Sequence, residues 1–131
     1  MADLTDPVYW ETAILRADGR FLMLAVLAEA PSHGYDVART IAEWCGGCCS
    51  PSDAMIYPAI RDLEAAGLIA CSVDANGPRP RNVCTLTDRG RAALAVAAAA
   101  WSRHLPVIER VVRAHDRSSF VPVADVQGGP R

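Results

Sequence analysis

The sequence has no lysine: all 13 basic residues are arginine, set against 15 aspartates and glutamates. Each positive group is therefore a planar fork suited to phosphate or guanine. Strong net charge is also absent. A formal charge of −2 excludes a uniformly polybasic nucleic-acid coat and leaves room for a local basic patch. Long apolar runs are missing. The longest, Ala92 to Trp101, is mostly alanine and far short of the roughly 20 residues of a membrane span. The start, Met1 to Asp6, is acidic, which is wrong for a signal peptide. A soluble cytoplasmic protein with no membrane partner is expected. No pairing of serine, histidine and carboxylate is readable, and no glycine loop could cradle phosphate, so no enzyme is expected. There is no internal repeat.

What is present suffices for one domain, or one domain with an arm. The 131 residues are 51% hydrophobic and 21% charged, enough to build a core. Five cysteines are many for such a chain. Their odd number and the intracellular setting argue against a disulfide framework and towards free thiols, metal or redox chemistry.

Asp6-Pro7 reads as a helix start, and the spacing predicts a helix from Pro7 to about Glu29. Its apolar positions include Trp10, Ile14, Phe21, Leu22, Leu24, Ala25 and Leu27. Gly19 weakens its middle, where a break is possible. Pro31 ends it, and Ser32-His33-Gly34 reads as a turn. Tyr35 to Trp44 forms a second helix with Val37, Ala38 and Ile41 inward. Cys45-Gly46-Gly47-Cys48-Cys49 is a loop. Ser50 can cap a third helix, with Pro51 in its first turn and Asp53 at the positive end of its dipole. That helix runs to Ala66 and stops at Gly67, with Ile56, Ile60 and Leu63 facing the core. Pro58 should bend it slightly. Leu68 to Val73 and Arg81 to Leu86 read as strands around a turn rich in glycine and proline. Thr87 caps a last helix reaching about Ala114. The stretch from Ser118 is expected to be mobile.

Three helices, a hairpin and a long helix make a mainly α (α+β) winged helix-turn-helix over residues 7–86. Residues 87–116 form a C-terminal dimerisation helix, and 117–131 a disordered tail. In the last helix Leu94, Ala98, Trp101, Leu105, Ile108 and Val112 are spaced 4, 3, 4, 3, 4, a heptad seam that needs a partner helix. A second copy of the chain is the expected partner, by analogy with symmetric operator binders. Pro106 should kink this helix or loosen it near Ser102.

Three segments carry a resemblance. They are Ser32-His33-Gly34-Tyr35-Asp36-Val37, then Ser50-Pro51 followed by Ile56 to Ile69, and Leu86-Thr87-Asp88-Arg89-Gly90-Arg91. In order and spacing these resemble the PadR family of transcriptional regulators. The resemblance implies a dimeric winged-helix repressor whose C-terminal helix dimerises, and the short C-terminal region resembles its small subfamily. Leu15-Arg16-Ala17 and Trp101-Ser102-Arg103 are similar to a lactococcal, multidrug-responsive member. That similarity implies that Trp101 lines a pore at the dimer centre and stacks on a flat aromatic effector.

In this architecture the third helix enters the major groove. Ser52, Ala54, Met55, Tyr57 and Arg61 are its candidate DNA contacts, with Asn76, Arg79 and Arg81 in the wing. The arginines would grip the backbone or reach into a minor groove, and the partner would be a palindromic duplex operator. Cys45, Cys48 and Cys49 adjoin the third helix's start, whose dipole favours thiolate. They are candidates for a redox switch or for a soft metal, zinc or cadmium; the alternative is no sensing role. Cys71 and Cys84 read as cross-strand neighbours, either small apolar residues against the core or a second ligand pair. A small thiol oxidoreductase and a protein-binding winged helix that never touches DNA are the competing readings.

Overall fold

A computed structural model describes residues 3–46 and 51–117. Its helices are α1 (Pro7–Glu29), α2 (Gly34–Trp44), α3 (Asp53–Ala65) and α4 (Asp88–His115), and its strands are β1 (Ser32–His33), β2 (Ile69–Asp74) and β3 (Arg81–Leu86). The chain divides into one compact unit ending at Ala98 and a second beginning at Ala99.

Local chemistry explains most boundaries. The Asp6 carboxylate accepts from the Val8 N–H at 3.0 Å, satisfying one orphan donor of α1. α1 continues through Gly19 without the break the sequence allowed. One unfavourable residue in 23 is outweighed by the burial of Leu15 before it and of Met23, Leu24, Val26 and Leu27 after it. Trp10 and Ile14 do not join that core: they are 54% and 57% exposed. α3 begins two residues later than expected for a cap at Ser50. Its N-cap is Ser52, and Ser50 lies outside the described residues. Gly67 ends this element with φ +79°, while the Leu68 N–H donates to the Leu63 carbonyl and the Gly67 N–H to that of Glu64. That is a Schellman stop, which requires the left-handed conformation glycine adopts freely. α3 continues through Pro58, and α4 runs unbroken through Pro106. The tail expected from Ser118 lies outside the described residues.

The segment expected to be a turn before α2 is instead a short strand. Ser32 pairs with Cys84 and His33 with Val83, making a three-stranded antiparallel sheet of order β1-β3-β2. β3 is thus central, paired on its other edge from Ile69↔Leu86 to Asp74↔Arg81. Cys71 and Cys84 face each other in this register, with Cα atoms 4.0 Å apart, and are joined as a disulfide. They are neither a spare ligand pair nor free thiols.

The core gathers Met23 and Leu27 of α1, Val37 and Ile41 of α2, Ile56 and Leu63 of α3, and Ile69 and Leu86 of the sheet. α4 is attached to this core by a polar clamp. The Thr87 hydroxyl donates to the Gly67 carbonyl at 2.7 Å and accepts from the Gly90 N–H at 3.0 Å. The Arg89 Nε–H donates to the Ala66 carbonyl at 3.1 Å.

Candidate nucleic-acid interface

α3 is amphipathic, and its buried stripe fixes what it shows outside. Ile56, Ala59 and Leu63 are 2%, 4% and 5% exposed, so Ser52, Ala54, Tyr57 and Arg61 are left on the outer surface. Met55, also a candidate contact, is half-buried and turned towards α1, where it lines a cavity with Leu15 and Met23.

Tyr57 is held where α2 begins. A Cβ on Gly34 would lie 2.9 Å from Tyr57 Cε1 and 3.2 Å from Ile60 Cδ1, so any larger residue there would have to displace the Tyr57 ring and the end of Ile60. The arrangement leaves a cleft of about 300 Å³, to which α2 contributes Tyr35, α3 contributes Tyr57, and β3 contributes Arg81 and Asn82. The third helix and the wing, separate in the sequence, meet there. Arg61 lies in an adjoining cleft beside Glu64 and Asn82. The Asn76 N–H donates to the Asp74 carboxylate at 3.0 Å in the wing turn, and Arg79 and Arg81 flank a hollow at its tip.

Two ion pairs form among the described residues, Arg20–Asp62 at 2.7 Å and Arg39–Asp36 at 3.0 Å. Neither uses Arg61, Arg79 or Arg81, which are exposed and have no ion-pair partner among the described residues. Sequence reasoning missed Tyr35 and Asn82. Tyr35 is 64% exposed at the first turn of α2, with the Arg39 guanidinium over its ring. The Asn82 carbonyl is hydrogen-bonded to His33 Nδ1 at 3.1 Å. The signal for Tyr35 lies in Ser32-His33-Gly34-Tyr35, part of a segment that carries the family resemblance in the sequence.

Of the expected seam on α4, Leu94 is half-buried against the core and Ala98 is exposed. In the C-terminal unit Leu105, Ile108 and Val112 are 49%, 42% and 51% exposed. Trp101 is half-buried, edge-on to His104 at 6.2 Å, beside a shallow hollow of about 180 Å³. Cys45 caps the end of α2 and packs against the core; Cys48 and Cys49 lie outside the described residues. No helix is long and apolar enough to cross a membrane among the described residues.

Comparison with known proteins agrees with this geometry. The chain is similar to a transcriptional regulator from Clostridium thermocellum, with TM-score 0.70, 21% identity, and 76% of this chain and 98% of that one covered. A Streptococcus mutans protein matches with TM-score 0.63 and 28% identity over 76% of this chain and 91% of its own. Bacillus subtilis PadR, solved in complex with operator DNA, matches with TM-score 0.55 and 26% identity over 60% of this chain and 46% of its own. No curated protein matches the chain. The model of the transcriptional regulator PadR-like family matches residues 23–96, a stretch that holds α2, α3, the whole sheet and the clamp at the start of α4. With the winged-helix sheet in place and more than half the sequence matched, the chain belongs to the PadR-like family of transcriptional regulators.

Proposed function

We propose that this protein is a sequence-specific DNA-binding regulator, a repressor that works as a homodimer in the cytoplasm. The observation that carries the reading is the shared cleft of α3 and the wing, where Tyr57 and Arg81 converge beside arginines with no ion-pair partner among the described residues. Each α3 enters the major groove, with Ser52, Ala54, Tyr57 and Arg61 towards base edges or phosphates, and Arg79 and Arg81 grip the flanking backbone. Two copies joined through Leu105, Ile108 and Val112 would place the helices about one turn of DNA apart, ~34 Å, on a palindromic site. The likeness to a PadR solved on operator DNA supports the DNA partner.

Effector release acts through the spacing of the two recognition helices. Trp101, with its shallow hollow, is the proposed platform for a flat aromatic effector. The alternative trigger, a thiol or soft-metal event, rests on Cys45, Cys48 and Cys49 alone, because Cys71 and Cys84 bond each other.

The test is retention of random and genomic duplexes at low salt by the intact chain. Retention of a random duplex is expected, with tighter capture of a subset of genomic fragments, and marked weakening of both in Arg79→Ala with Arg81→Ala. Failure of every duplex to bind would make the wing a protein-binding surface instead.

A further inference from the structure

We propose that the cavity between α1 and α3 is a binding site for an aliphatic carboxylate of medium chain length. The cavity measures about 290 Å³, near the lower end of small-molecule sites, which run from roughly 300 Å³. α1 contributes Leu15, Arg16, Gly19 and Met23, and the start of α3 contributes Met55 and Ile56.

Gly19 lines it with no side chain. A glycine in mid-helix costs about 1 kcal/mol relative to alanine, and close packing is the usual reason to retain one. Here there is no such packing: a Cβ on Gly19 meets nothing within 4 Å. The missing side chain leaves empty space that borders the cavity.

The lining selects the ligand. The described walls are aliphatic or thioether, with no aromatic ring, so they suit a flexible hydrocarbon chain better than a flat ring. Two cations stand at the rim. Arg20 is engaged with Asp62 at 2.7 Å, whereas Arg16 is exposed and has no ion-pair partner among the described residues. An anionic head on an apolar tail satisfies both the walls and Arg16. Met55 and Ile56 belong to the helix proposed to enter the major groove, so an occupant wedged against them would lower DNA affinity. That consequence rests on the DNA-binding reading; the binding site itself does not.

The experiment therefore uses the full chain without DNA. The sequence has three methionines, Met1, Met23 and Met55, and the last two line the cavity. With methyl-labelled methionine, titration with octanoate should shift the Met23 and Met55 resonances saturably and leave Met1 unmoved. Arg16→Gln should weaken octanoate about fivefold, the scale of an exposed ion pair, and leave octanol binding unchanged. Gly19→Leu should fill the space and abolish the shifts while the thermal midpoint is kept or raised. Absence of Met23 and Met55 shifts in the unaltered protein would overturn the site. So would shifts that persist in a folded Gly19→Leu protein, and tighter binding of benzoate than octanoate would overturn the ligand class.

Discussion

Gly90 lies directly beneath the backbone carbonyl of Leu68, so that a Cβ on Gly90 would overlap the Leu68 oxygen and crowd Leu86 Cδ1. The same oxygen accepts from the Thr87 N–H at 3.1 Å. The first turn of α4 is thereby pressed onto the end of α3 and the start of β2, where the clamp of Thr87 and Arg89 also acts. Gly90→Ala cannot relieve the overlap by rotating a side chain, because the obstacle is backbone. Overpacking typically costs roughly 1–3 kcal/mol, and this substitution should cost about 3 kcal/mol, read as a lower urea midpoint.

The Cys71–Cys84 bond closes a short loop, with a sequence separation of 13. The loop-entropy model gives about 3 kcal/mol for a loop of this size. Reduction should destabilise the protein by up to roughly that amount. A Cys71→Ala, Cys84→Ala protein should show the same urea midpoint with and without reductant.

Asp18 in α1 has one carboxylate oxygen buried without a hydrogen-bond partner among the described residues. Burial raises its pKa above the usual carboxylate value, with a smaller opposing contribution from a backbone hydrogen bond. The folded state therefore holds the proton more tightly than the unfolded state. The cost of the charge is fully present above the raised value and is relieved as pH falls through it towards about 3.9. Asp18→Asn should stabilise the protein at neutral pH, and that gain should shrink on acidification. A constant gain from pH 7 to pH 4 would assign it to something other than the charge.

Replacing Arg79 and Arg81 by alanine should also flatten the salt dependence of duplex binding. Each phosphate that the protein no longer neutralises lowers the slope of log K against log salt by about 0.9, so a decrease approaching 2 is expected. An unchanged slope would place both side chains away from the backbone.

The exposed row Leu105, Ile108 and Val112 should hold two copies together. Ile108→Glu would bury a charge at such a seam, and sedimentation should then show single chains while the melting of the N-terminal unit is kept.

The chemistry of the chain's punctuation made most of this architecture readable. Asp6-Pro7, Gly67 and Thr87 announce their boundaries because each satisfies backbone groups that a helix end leaves open. β1 was illegible because two residues carry no alternation, and its hydrogen bonds go to a strand some fifty positions away. Trp10 and Ile14 looked like core by composition, yet they precede the part of α1 that other elements cover. The exposure of Tyr57 and Arg61 follows from the buried stripe on the opposite face of α3. Met55 is half-buried and lines the cavity beside α1. Cys71 and Cys84 are cross-strand neighbours as the hairpin pattern implies, but their disulfide overturns for this pair the expectation, drawn from the odd cysteine count, of free thiols.

Because Ser32 and His33 hold the central strand from the edge opposite β2, the hairpin is stitched to the connection that launches α2. A wing borrowed from a relative would arrive without its second seam. Grafting for altered operator preference must carry these two residues along with the hairpin, which makes the transferable cassette discontinuous in the gene although it is one fabric in space.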